Sequence, residues 1–178
     1  SSPAKSAGGF IGGIEKGNIR KSFSTGNVSA RSIVGGFAGY LVERDGSGQA
    51  LIEDCYSIGN VTGGGDDYKS GGFIGALEGG KVKNSYSYSY FLNPIDKANS
   101  TPAASFVGLL MHEKTNDDTS VIGSYALDYG QNIFVGTGDK ADHDTVYFFP
   151  NITGHTIEIE TLDMNNFADQ NNFPDLDF

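Results

Sequence analysis

His112-Glu113 comes closest to a catalytic motif in this chain, because it matches the first half of the HExxH helix that holds zinc in metalloproteases. The metal needs a second histidine one helical turn later, and position 116 is Asn116. A zinc-protease site therefore fails at the residue the metal requires. The other histidines are His143 and His155. Acidic clusters occur at Asp66-Asp67, at Asn116-Asp117-Asp118, and at Asp139, Asp142 and Asp144 around His143. Calcium takes about six to eight oxygen ligands, and turns rich in Asp and Gly can supply several. The spacing of Asp139, Asp142 and Asp144 does not fit an EF-hand loop. Solvated acidic turns are the expectation, with no cofactor; calcium in these Asp-rich turns is the weaker alternative.

Cys55 is the one cysteine, so no intramolecular disulfide forms. Asp54 beside it disfavours a thiolate, and a small packed residue is expected. Tyr86, Tyr88 and Tyr90 alternate with Ser87 and Ser89, the two-residue period of a strand. Packing is the main expectation for this row. An outward Tyr88 or Tyr90 would instead stack on a sugar ring or a partner protein. The Gly-Gly-Phe segments could pass for phosphate loops, but no Gly-Lys-Ser/Thr follows. Close backbone approach at corners, and positive φ, explain these glycines better.

These residues sit on a repeat. Gly8-Gly9-Phe10-Ile11-Gly12 returns as Gly35-Gly36-Phe37-Ala38-Gly39, as Gly71-Gly72-Phe73-Ile74-Gly75, and in worn form as Ala104-Ser105-Phe106-Val107-Gly108. A second half, Ile19-Arg20-Lys21-Ser22-Phe23-Ser24, returns from Ile52 to Ser57, from Val82 to Ser87 and from Val121 to Ala126. Self-similarity at a period of 27 to 39 residues indicates a repeat architecture. The units are 8–34, 35–70, 71–103 and 104–126, and residues 127–178 are expected to form a β-rich cap over the last unit.

Helical repeats need apolar residues at a period of about 3.6 and few glycines. These units are short apolar runs cut by Gly, Ser and Thr, which is strand-and-turn composition. One unit cannot bury its own apolar face, but stacked units can, with Phe10, Phe37, Phe73 and Phe106 in one file and Phe23, Tyr56, Tyr86 and Tyr125 in another. The expected fold is all-β: a parallel β-solenoid, or β-helix, of about four coils with an irregular C-terminal cap. The gap from Phe to the aliphatic residue that opens the second half, Ile19, Ile52, Val82 or Val121, is 9, 15, 9 and 15 residues in the four units. Two units thus carry longer loops, Val42 to Gln49 and Met111 to Ser120, expected to project on one side. Slot 21/54/84/123 reads Lys, Asp, Asn, Gly, which lacks the carboxylate pair a glycosidase needs.

The motifs resemble the GLUG repeat family, whose pattern runs GGFxG and then GxIxNSYSTGxVxG. The likeness covers roughly residues 8 to 126, well in units one to three and poorly in unit four. It implies a bacterial, extracytoplasmic scaffold of the kind found in surface and secreted proteins. Adhesin-like proteins and the non-catalytic regions of immunoglobulin A protease-like proteins are examples. It brings no catalytic residue.

The chain has 178 residues and a net charge of −10. That charge disfavours nucleic acid and anionic membranes, whose phosphates call for Lys and Arg. No apolar run is long enough to span a membrane as a helix. The expectation is a non-enzymatic, extracytoplasmic module of a bacterial surface or secreted protein, either spacer or adhesin-like. The alternative is the accessory region of a secreted protease-like or glycan-active enzyme. Partners are expected to be an extracellular protein or glycan, together with flanking coils of a longer chain. The interaction surface is expected at Glu43, Arg44 and Asp45, at Tyr88 and Tyr90, and at His112, Glu113 and Lys114. The first unit carries the full repeat pattern, so its outer edge is expected to be open.

Overall fold

The computed structural model describes residues 5–42, 50–63, 69–91, 104–111, 120–127, 135–138, 146–149, 167–169 and 174–176. It is all-β, with no helix among these residues. The first unit supplies β1 (Ser6–Gly8), β2 (Ile11–Ile14), β3 (Asn18–Arg20), β4 (Phe23–Ser24) and β5 (Val28–Ala30). The second supplies β6 (Ile33–Gly35), β7 (Ala38–Val42), β8 (Leu51–Glu53) and β9 (Tyr56–Gly63). The third supplies β10 (Lys69–Gly71), β11 (Ile74–Glu78), β12 (Lys81–Lys83) and β13 (Tyr86–Phe91). The fourth supplies β14 (Val107–Leu110), β15 (Ser120–Ile122) and β16 (Ser124–Leu127). Beyond it lie β17 (Val135–Gly138), β18 (Val146–Phe149), β19 (Phe167–Asp169) and β20 (Pro174–Leu176).

Equivalent strands of successive units pair side by side. The sheets run β1-β6-β10, β2-β7-β11-β14-β17, β3-β8-β12-β15 and β4-β9-β13-β16-β18, with β5 also on β9. Every pairing in these four sheets is parallel. Parallel neighbours need a long connection, and here it is a whole repeat. Register keeps chemically equal residues opposite one another: Ile19, Ile52, Val82 and Val121 form one line. Two segments within 127–178 join the stack. β17 lies parallel on β14 and β18 parallel on β16, while β19 and β20 form a separate antiparallel pair. The first strand of each layer straddles the start of the sequence unit: β1, β6 and β10 each end on the first glycine of Gly-Gly-Phe.

The core fills with Leu41, Ile52, Ile74, Leu77, Val82, Leu110 and Val121 around Phe37, Phe73 and Phe106. A second cluster joins Val28, Ala30, Val34 and Val61. The phenylalanine rings of the four units stack at 4.9, 4.9 and 4.8 Å with their planes nearly parallel. That spacing is the separation of neighbouring strands, so the rings inherit their offset from the backbone. Phe23, Tyr56 and Tyr86 stack likewise at 5.1 and 4.9 Å.

A bend separates the strand carrying Ile19 or its equivalents from the strand carrying the next aromatic residue. Lys21, Asp54, Asn84 and Gly123 each have left-handed backbone there, with φ of 47°, 54°, 46° and 57°. Asn, Asp and Gly tolerate this region, so the slot that looked chemically mixed in sequence has a shared conformational role. The next residue closes the bend. Ser22, Cys55, Ser85 and Ser124 each donate a hydrogen bond to the carbonyl two residues back, at 2.9, 3.1, 2.8 and 3.2 Å. The Oγ of Ser85 and that of Ser124 also accept from the backbone N–H of the preceding layer's Cys55 and Ser85. A polar atom buried at a corner is thus satisfied along the stack.

The Gly-Gly-Phe glycines differ from expectation in one respect. None of Gly8, Gly9, Gly35, Gly36, Gly71 and Gly72 has positive φ. Close approach alone explains them. A Cβ on Gly36 would strike the carbonyl oxygen of Gly72 and come within 2.6 Å of Ser89 Oγ. A Cβ on Gly72 would strike the carbonyl oxygen of Ser105 and come within 2.5 Å of Ser87 Oγ.

Candidate interaction surface

The tyrosine row lies on β13, and its alternation resolves in favour of the serines. Ser87 and Ser89 are buried and reach towards Gly72 and Gly36, in the bends that follow β10 and β6. Successive residues of a strand point to opposite faces, so Tyr86 and Tyr88 face away from that glycine side. Tyr86 is fully buried within the ring stack, and Tyr88 is half-buried. Tyr90 pairs in register with Asn60 along the backbone; its side chain lies outside the described residues. Only a small side chain fits this close to the glycines, and the register line Ser24, Ser57, Ser87 and Ala126 is small throughout.

The longer loops leave and re-enter at one corner. The first runs from the end of β7 to β8, and the second from the end of β14 to β15. β7 and β14 both flank β11, and β8 and β15 both flank β12. In the third unit the same corner is closed by Gly79 and Gly80, with φ of 119° and 92°. Glu43, Arg44, Asp45, His112, Glu113 and Lys114 themselves lie outside the described residues, as do Asp66-Asp67, Asp117-Asp118, Asp139, Asp142 and Asp144. Among the described residues no group of three His, Cys, Asp or Glu is arranged to hold a metal ion.

The sheet β3-β8-β12-β15 carries an ordered line of charge. Arg20, Glu53 and Lys83 are register neighbours on successive strands, followed by Ile122. Arg20 Nε meets Glu53 Oε2 at 3.0 Å, the arginine exposed and the glutamate partly buried. Pairs of this kind near the surface contribute about 0–1 kcal/mol. The signs alternate because like charges directly opposite one another on neighbouring strands repel. Aligning the repeats exposes this pattern as slot 20/53/83, beside slot 21/54/84/123.

Asp54, at the bend below this line, has its carboxyl raised above the ordinary range by burial. A hydrogen bond from Asn84 and the charges of Lys21 and Arg20 work against that shift, and Glu53 adds to it. Cys55 is buried, and burial pushes its thiol up to about 12. Its backbone contacts pull the other way without overcoming desolvation. A thiol so held is protonated at neutral pH and acts as a hydrogen-bond donor to Glu53 O.

The first layer differs from the rest. Among the described residues, β1, β2, β3 and β4 are terminal strands of their sheets. Phe10 is 49% exposed and Phe23 42%, whereas Phe37 is 0% exposed. Residues 5–34 carry Lys5, Lys16, Arg20, Lys21 and Arg31 against Glu15, a net charge of +4 in a chain of −10. All six of these side chains are exposed. Among the described residues no helix is long and apolar enough to cross a membrane. Comparison with protein families, with curated proteins and with solved structures finds no match.

Proposed function

We propose that this chain is a parallel β-solenoid of GLUG-like repeats acting as a non-catalytic, extracytoplasmic scaffold or adhesin-like binding module of a bacterial surface or secreted protein. One observation carries the reading: two insertions fall at the same corner of a register-locked stack, at the β7–β8 and β14–β15 junctions. A rigid stack whose longer insertions open from one corner is suited to presenting a surface, since loops on rigid scaffolds commonly carry binding. The GLUG resemblance, on the Gly-Gly-Phe and Ser-aromatic motifs, supplies the extracytoplasmic setting. An extracellular protein or glycan is the partner class that this setting and the half-buried Tyr88 favour.

The test has two arms. Intact cells making the parent protein are treated with protease and probed with antibody to this chain; digestion from outside supports the setting, and full protection until lysis refutes it. Separately, residues 43–49 are replaced by a Gly-Gly turn like that at Gly79-Gly80. Binding to host-cell protein and glycan arrays should fall while the thermal midpoint stays nearly unchanged. Unchanged binding counts against this loop as the presenting surface.

A further inference from the structure

The tail of the first unit, Thr25-Gly26-Asn27-Val28-Ser29, returns in the second as Ile58-Gly59-Asn60-Val61-Thr62. Both hold Asn-Val followed by a hydroxyl residue, the tripeptide that accepts sugar on its asparagine. Such tripeptides also arise by chance, so placement in the fold decides which of them a transferase reaches.

The alternation of β5 places this one outward. Val28 and Ala30 are buried, whereas Ser29 and Asn27, just before the strand, are exposed. Residues two apart on a strand share a face, so the asparagine and the hydroxyl it requires stand together in solvent. β5 lies in register on β9, with Val28 on Val61 and Ser29 on Thr62, so the second tripeptide runs alongside the first. Asn60 and Thr62 are only half-buried, and Val61 between them is buried.

The Asn27 amide is also held in one orientation. Its Oδ1 accepts the backbone N–H of Asn60 at 2.9 Å. Because the partner is a donor, the amide atom facing the second layer is the oxygen and not the nitrogen. Nδ2 is therefore turned away from that bond, on an exposed side chain. The hydrogen bond by itself explains an asparagine at position 27. It calls for no hydroxyl two residues later, yet both layers carry one on the face of their asparagine.

We propose that Asn27 is a glycosylation site, taking a sugar on Nδ2 from a phosphate-activated sugar donor through a transferase that reads Asn27 and Ser29 together. In the transfer a bond forms between Nδ2 and the anomeric carbon of the sugar. The bond from that carbon to the donor's phosphate oxygen breaks, the phosphate leaves with the electron pair, and one amide proton passes to a base. Oδ1 is not consumed, so its bond to Asn60 is kept. Asn27 is preferred to Asn60 because it is exposed where Asn60 is half-buried. Asn99 and Asn151 open tripeptides of the same kind outside the described residues. The site depends on the geometry of β5 and not on what the longer loops bind.

The test is mass spectrometry of the full-length protein purified from the cells that make it and digested with trypsin. The peptide 22–31 contains Asn27 and should carry a sugar adduct whose fragments place it on that residue. Asn27→Gln and Ser29→Ala should each abolish the adduct, and Ser29→Thr should keep it. Ser29→Ala, at an exposed position, should leave the thermal midpoint unchanged, which separates loss of the acceptor from loss of the fold. Single sugars added stepwise point to a nucleotide-linked donor, and one preformed oligosaccharide to a lipid-linked donor; either supports the site. An unmodified 22–31 peptide, an adduct that survives Ser29→Ala, or sugar found only at Asn60, Asn99 or Asn151 overturns the proposal.

Discussion

Phe10 and Phe37 are the same residue in the same file, stacked on each other at 4.9 Å, yet one is half in solvent and the other fully buried. The same holds one corner away, where Phe23 is exposed and Tyr56 is buried. The layers differ little in local sequence. They differ in having a neighbour on one side or on both. In a stacked repeat the energy resides largely in the interfaces between units, so the end layer contributes one interface and each inner layer two. The inner layers, covered on both sides, are therefore the stable body of the stack.

The sharpest test of that contrast is paired truncation. Phe73→Ala, between two rings and fully buried, should cost about 3–5 kcal/mol in urea unfolding. Phe10→Ala should cost about 1 kcal/mol, because half its ring already meets water. Equal losses for the two would break the distinction between inner and outer layers.

A second pair probes backbone approach. Gly72→Ala places a methyl group against the Ser105 carbonyl and Ser87 Oγ and should cost about 1–3 kcal/mol. Gly12→Ala has nothing within 4 Å and no positive φ, so it should be neutral or stabilise by up to about 1 kcal/mol. Thermal denaturation of the two variants reads the difference directly; a destabilised Gly12→Ala would mean that the outer layer is as tightly packed as the inner ones.

The bend residues sharpen the comparison at smaller amplitude. Lys21 holds φ of 47° where the next two layers use Asp54 and Asn84. Lys21→Asn should stabilise the first layer by a few tenths of a kcal/mol up to about 1 kcal/mol. Amide exchange in β3 and β4 is the measurement, and faster exchange there would contradict the assignment of strain to this slot.

The smallest effect is a pH dependence at Asp54. Its folded-state carboxyl is raised, chiefly by burial, so the folded chain holds that proton more tightly than the unfolded one. Its contribution to stability is present below the unfolded pKa and is lost as pH rises through the raised folded value. Asp54→Asn should therefore raise the thermal midpoint at pH 7 and change it less at pH 3. A larger gain at pH 3 would reverse the sign and refute the burial account.

Much of this was legible in the residues. The two aromatic files, the common corner of the longer loops and the inert Cys55 follow from spacing and residue type. The left-handed slot was visible as a column of Lys, Asp, Asn and Gly, but its meaning was not, because one Lys hides a conformational column that Asn and Gly would announce. The serine face of β13 was harder. Binary patterning assigns the inside to the larger apolar residue, and here the close approach of Gly36 and Gly72 leaves room only for small side chains, Ser57, Ser87 and Ala126 in one line.

The sequence by itself determined the unit, its period, and which residues stand in line, because these depend on identity repeated along one chain. Tertiary structure decided which face of β13 turns inward, that β17 and β18 join the parallel sheets, and that Phe10 and Phe23 lie open while their counterparts are covered. The physical reason is that burial belongs to the space between layers. Four copies of one motif carry the same pattern, but only position in the stack tells a ring whether it has a neighbour on one side or two.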